Sequence, residues 1–121
     1  MFPNLIEDLT DGAVDHDYDL LYVEGYNSTR RDIASSQSEP ATMIIGHNES
    51  GQGEGLTRNS KCRFDRVVTD GDGKQSTLSV YLVIRNPLKT ATAAQVLETT
   101  QQLVDFLNTD TNAAKFIAGE I

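Results

Sequence analysis

One cysteine, no tryptophan and only two histidines in 121 residues exclude several classes of protein at the outset. A single thiol makes neither an intrachain disulfide nor a thiolate metal cluster. Cys62 falls on the apolar side of an alternating strand, where a buried, inert thiol is expected. Strand pairing brings neither His16 nor His47 near it. With no nucleophile–base pair, phosphate loop or metal-ligand spacing, an enzyme is not expected, and no cofactor is implied. The segment Asp70-Gly-Asp72-Gly-Lys74 lacks the third oxygen ligand of a calcium loop. His16, set among Asp15, Asp17 and Asp19, reads as part of a solvated loop rather than a site. Apolar runs of the ~20 residues a membrane helix needs are also missing, as is a charged-then-apolar leader. A soluble, intracellular chain of one domain is the expectation.

Basic residues are scarce, ten against eighteen acidic ones, and the net charge of −8 taken alone argues against nucleic-acid binding. Their distribution reverses that argument. Residues 1–25 carry Glu7, Asp8, Asp11, Asp15, Asp17, Asp19 and Glu24 and no lysine or arginine. Residues 58–89 carry Arg58, Lys61, Arg63, Arg66, Lys74, Arg85 and Lys89 against three aspartates. Acid and base are expected on different surfaces.

What the chain does have is strict alternation. Leu56–Val68 places Cys62 and Phe64 on one side, with Asn59, Lys61, Arg63 and Asp65 on the other. Ser76–Arg85 separates Leu78, Val80, Leu82 and Ile84 from Thr77, Ser79, Tyr81, Val83 and Arg85. The connection Asp70-Gly-Asp-Gly-Lys74 suits a three-residue hairpin loop with Gly73 in the left-handed region. Closing it there sets Phe64 opposite Val80, Cys62 opposite Leu82 and Arg63 opposite Tyr81, so the faces agree across the pair. Upstream, Ala41–Glu49 leads into the glycine-rich run Ser50–Gly55. Pairing Glu49 with Leu56 sets Asn48 opposite Thr57, Ile44 opposite Lys61 and Thr42 opposite Arg63. A one-residue slide in that loop would bring His47 to the polar face in place of Asn48.

After Pro87, Thr92-Ala-Ala-Gln95 has the capping-box pattern. At 100° per residue Ala93, Val96, Leu97, Thr100, Leu103, Val104 and Leu107 share a stripe, opposite Glu98, Gln101, Gln102 and Asp105, so this helix is expected to lie on something apolar. Asn108-Thr-Asp110 offers a cap for a second, shorter helix through Phe116 and Ile117, stopped by Gly119. Earlier strands are expected near Asn4–Asp8, Tyr18–Glu24 and Ser28–Ala34, with turns at Thr10–Gly12 and Gly25–Asn27. Two short helices cover only part of such a sheet. A symmetric dimer that merges sheets and exchanges helices is the economical way to bury the rest.

In order, length and face pattern, most clearly over 57–119 with Val80-Tyr-Leu-Val-Ile-Arg-Asn-Pro87 running into the helices, the chain resembles the coat proteins of single-stranded RNA bacteriophages, the levivirus-like family. The resemblance implies an α+β fold: an amino-terminal β-hairpin, a five-stranded antiparallel meander and two carboxyl-terminal helices, forming an interlocked dimer with a continuous sheet. It implies one coat-protein domain over 1–121, with an acidic hairpin region at 1–25, the sheet at 27–86 and the helical hairpin at 91–119. The partners would be further copies of the chain, in a homodimer and then an icosahedral shell, and single-stranded genomic RNA. The location would be the virion, assembled in the bacterial cytoplasm.

By face, the family's RNA contacts fall here on Thr42, Asn48, Asn59, Lys61, Arg63, Tyr81 and Arg85. Lysine and arginine there would neutralise phosphates, Tyr81 would stack on an unpaired base, and Thr42, Asn48 and Asn59 would read base edges. For Tyr81 the plainer role is cross-strand partner of Arg63. The Asp70–Lys74 turn is shorter than the loop many members use for contacts around the shell's symmetry axes. A dimeric RNA-binding regulator that forms no shell would carry the same polar face.

Overall fold

The computed structural model covers residues 1–121. Six antiparallel strands form one sheet in sequence order: β1 (Leu5–Thr10), β2 (Asp15–Glu24), β3 (Asn27–Asp32), β4 (Ala41–Ser50), β5 (Thr57–Thr69) and β6 (Gln75–Pro87). Helices α1 (Ala93–Asn108) and α2 (Asn112–Ile117) follow. The expected hairpin and five-stranded meander are both present and share a strand, because β2 pairs with β1 on one side and β3 on the other.

The β5–β6 hairpin follows directly from its turn. Gly73 sits at φ +82°, the Asp70 and Lys74 backbones close the loop at 2.9 Å, and Asp70 Oδ1 accepts from the amides of Asp72 and Lys74. Phe64 faces Val80, Cys62 faces Leu82 and Arg63 faces Tyr81, as the alternation predicts. The β4–β5 register differs from expectation by two residues. Ser50 pairs with Thr57 and Glu49 with Arg58, so Thr42 faces Asp65 and Ile44 faces Arg63. The reason is local: residues 53–55 turn through a short 3-10 segment, and Leu56 leaves the ladder. An ion pair from Arg58 to Glu49 at 2.9 Å spans the first rungs of this pairing. A shift of two preserves side-chain parity, so Asn48 remains on the polar face. His47 lies on the other face, with Nδ1 2.8 Å from Ser60 Oγ.

Two irregularities, one between Ile6 and Leu9 and one between Leu20 and Tyr22, interrupt the alternation of the first strands. Asp8 adopts φ +59° at the first, and its amide donates to Asp17 Oδ1 at 2.9 Å. His16 is not in a solvated loop. It lies within β2, its ring held between Asp11 and Asp32.

Only six residues are buried. The apolar face carries what core there is. Met43 is buried, Tyr18 meets Phe64 edge-on at 5.6 Å, and Cys62 is half-buried, which pushes its thiol pKa up. Arg30 is fully buried on this face and ties down the amino terminus, its guanidinium donating to Ser28 Oγ at 2.7 Å and to the Pro3 carbonyl at 2.9 Å. The rest is uncovered: Val80 is 62% exposed and Leu78 53%.

The helix α1 starts as expected, with Thr92 accepting from the Gln95 amide and Gln95 returning the bond. Its apolar stripe does not lie on its own sheet. Only Val96 and Thr100 are half-buried, near Leu82 and Ile84, while Leu97, Leu103, Val104 and Leu107 are exposed. Helix α2 takes no cap from residues 108–110. It begins after Thr111 without a side-chain cap, and Asn112 instead donates to the Phe106 carbonyl at 2.9 Å, closing the end of α1. Gly119 ends the hairpin at φ +86°.

Candidate nucleic-acid interface

Register places side chains in rows across the polar face. Asn48, Asn59 and Arg85 form one row. Gly46, Lys61 and Val83 form the next, then Ile44, Arg63 and Tyr81, then Thr42, Asp65 and Ser79. Successive partners stand ~5 Å apart across strands. The seven residues singled out from the sequence therefore share one face of three adjacent strands. Thr42 is displaced one row from Arg63, its expected neighbour, and faces Asp65 instead.

Their charges are not equally available. Arg63 Nη2 lies 2.9 Å from Asp65 Oδ2, and the other oxygen of Asp65 accepts from Ser79 Oγ at 2.6 Å. Arg63 is thus held in place and partly neutralised within its own sheet. Lys61 and Arg85 are exposed and have no carboxylate within ion-pair distance. Both are free to meet a phosphate, the sequence-independent part of any RNA contact. Tyr81 is 62% exposed beside Arg63, presenting a flat ring of the kind on which an unpaired base stacks. Asn59 Nδ2 reaches Ser50 Oγ at a long 3.4 Å, leaving most of its amide capacity unused. Asn48 is exposed beside it.

Two members of this face were not singled out from the sequence. Asp65 sits in the middle of the patch and was visible in the alternation as a polar-face residue. Its importance lies in the bond to Arg63, which strand spacing does not reveal. Arg31 pairs with Thr42 and donates to the Ser36 carbonyl at 2.8 Å. The short β3, Asn27-Ser-Thr-Arg-Arg-Asp32, has no apolar residue to mark its parity.

The acidic segment was expected on another surface, and the register places it otherwise. Asp19 aligns with Arg31 and Thr42, and Glu24 with Asn27 and Gly46, so both share the polar face at its far edge. The face runs from acidic at β2 to basic at β5 and β6, three strands away. That separation of roughly 14 Å exceeds the ~10 Å screening length at 0.1 M salt.

The structure is a six-stranded meander with a polar face, an incompletely covered apolar face and a projecting helical hairpin. No protein-family model and no curated protein matches the chain. Solved structures do. The virus-like particle of bacteriophage AVE019 is 15% identical, over 98% of this chain and 97% of that one, with a TM-score of 0.69. That of Beihai levi-like virus 21 is 12% identical, over 100% and 98%, with a TM-score of 0.70. The bacteriophage EMS014 coat protein is 13% identical, over 85% and 70%, with a TM-score of 0.65. The chain has the fold of levi-like bacteriophage coat proteins.

Proposed function

We propose that the chain is the coat protein of a single-stranded RNA bacteriophage, one domain over 1–121. It dimerises, closes into an icosahedral shell and holds genomic RNA against the polar face of β4–β6. In this reading its place is the virion, and its role is structural rather than catalytic. The observation that carries the reading is the uncovered helical hairpin. No residue of α1 or α2 is buried, yet Leu97, Leu103, Val104, Phe106, Leu107, Phe116 and Ile117 are apolar and exposed.

A second copy supplies what these side chains need. The outer edge of β6 is thirteen residues long and pairs with nothing, an open ladder of the kind that recruits another strand. Antiparallel pairing of two β6 edges about a two-fold axis brings the partner's α1 to the Gln75 end of this β6. There the apolar face opens into a groove of about 1050 Å³ lined by Tyr18, Phe64, Leu78 and Val80. An α1 of sixteen residues is about 24 Å long, enough to cross about five strands at ~4.8 Å each. The same operation doubles the basic strip, setting two copies of Lys61, Tyr81 and Arg85 about the axis and leaving Asp19 and Glu24 at the outer rims. RNA contact there would be salt-sensitive through Lys61 and Arg85 and supported by stacking on Tyr81, with Thr42, Asn48 and Asn59 offering base-edge partners.

The test is electron microscopy and size-exclusion chromatography of the protein expressed alone in bacteria, with absorbance at 260 and 280 nm across the particle peak. Uniform shells containing RNA are expected. A lone dimer without particles would sink the shell and favour a dimeric RNA-binding regulator, and a stable monomer would sink both.

A further inference from the structure

The groove on the apolar face has a wall that the capsid reading does not use. It is the tip of the β1–β2 hairpin, where Leu9, Thr10 and Asp11 stand across from Leu78 and Val80. One side chain fixes that wall. His16 Nδ1 lies 2.7 Å from Asp32 Oδ2 at the end of β3, and its Nε2 lies 2.9 Å from Asp11 Oδ2 in the turn. Both carboxylates are otherwise committed. Asp32 is 4% exposed and accepts from the Ala34 amide, while Asp11 accepts from the amides of Ala13 and Val14. Neither carboxylate, ionised, can donate to a ring nitrogen, so both ring nitrogens must carry protons for both contacts to be hydrogen bonds.

We propose that Asp11, His16 and Asp32 form a proton-dependent clasp, holding the amino-terminal hairpin as one wall of the groove that receives a second copy of the chain. The groups facing the ring are Asp11 from the turn, Tyr18 from β2 and Asp32 from β3. Asp8 from β1, Glu39 from the β3–β4 connection, and Asp65 and Arg66 from β5 line the same groove. Acid outnumbers base around the ring, and the hydrogen bonds to Asp11 and Asp32 raise the His16 pKa above its ordinary 6.5. On losing a proton, imidazole keeps one N–H. The buried Asp32 retains it at the shorter contact. Asp11, half-exposed at the hairpin tip, then faces a lone pair and is released.

The sign follows. Because the His16 pKa is raised, its contribution is full below 6.5 and is lost as pH rises through the raised value. The Asp11 pKa is lowered, chiefly by the His16 bond, so its contribution is present above 3.8 and is lost only as pH falls through the lowered value. The clasp is closed between those limits and opens on the alkaline side. Its consequence for assembly rests on the dimer reading; the clasp itself does not.

The experiment separates the two. Deuterium exchange at the His16 ring carbon, read by mass spectrometry in the full-length protein, gives its titration in an assembly of any size. Amide exchange over residues 8–14, corrected for the intrinsic effect of pH, reports the hairpin tip. Light scattering from pH 5 to 9 reports assembly. His16 is expected to titrate above 6.5, with protection of residues 8–14 and scattering falling over the same interval. In Asp11→Asn, which keeps an oxygen for the turn amides and offers the ring a donor, the His16 midpoint is expected to move toward acid and the alkaline step in scattering to disappear. A His16 midpoint at or below 6.5, or an Asp11→Asn profile superposing on the wild type, would overturn the clasp. A shifted His16 in a protein that never assembles would leave the clasp standing and remove the dimer.

Discussion

The two faces of β4–β6 are made by the same three strands, and they solve opposite problems. On the polar face the charged groups find a partner or solvent within one chain. Arg63 has Asp65, Asp65 has Ser79, and Lys61 and Arg85 stand in solvent at little cost. The apolar face is complete only at its centre, where Met43, Arg30 and Tyr18 are buried, and it ends in exposed Leu78 and Val80. One face leaves Lys61 and Arg85 without carboxylate partners, and in the proposed function it meets RNA. The other leaves large apolar side chains in solvent, and in the proposed dimer a second copy covers them.

Substitutions can break that contrast, and the largest effect is expected from Val80→Asp. On a surface left free, a substitution at a residue 62% exposed is worth within about 0.5 kcal/mol. Beneath a partner helix it buries an unpaired carboxylate, at a cost of several kcal/mol. Sedimentation is expected to show dimers and larger particles lost while circular dichroism retains the strands. Next comes the polar face. Tyr81→Ala is expected to weaken RNA binding by about 1–3 kcal/mol in filter binding without changing assembly. Lys61→Ala and Arg85→Ala are each expected to lower the salt slope of binding by about one. Arg63→Ala is expected to lower it less, since Asp65 already holds that charge.

Smaller effects sharpen the helical side. Thr92→Ala removes the capping box of α1, with an expected loss of about 1 kcal/mol in urea unfolding. Smallest is the exposed Arg58–Glu49 pair, worth about 0.2–1 kcal/mol in a double-mutant cycle and screened by salt.

The same contrast explains what could be read from the sequence. The β5–β6 hairpin and its two faces were legible because Gly73 fixes the turn and period-two alternation runs unbroken on both sides. The β4 register was not, because residues 50–56 are nearly all glycine or polar and their count does not say how many leave the ladder. Parity survives because the shift is an even number of residues, which is why Thr42 and Asn48 still share a face with Asn59, Lys61, Arg63, Tyr81 and Arg85. Arg31 lies in a strand, Asn27-Ser-Thr-Arg-Arg-Asp32, that has no apolar residue and so no alternation from which its face could be read. The role of His16 lay beyond any local pattern. Its partners are five and sixteen residues away, and only the fold brings the turn and the end of β3 to the same ring.

The placement of α1 shows another limit. Its amphipathic stripe was read correctly and its cap is as expected, yet periodicity says only that a face must be covered. It does not say by which chain.

The most direct measurement is a density map of the purified particle by electron cryomicroscopy. The expected map shows β6 paired with β6 of a second copy, that copy's α1 lying over Phe64, Leu78 and Val80, and RNA density against Lys61, Tyr81 and Arg85. Helices folded back over their own sheet, or RNA on the helical side with the polar face bare, would contradict the assignment of the two faces.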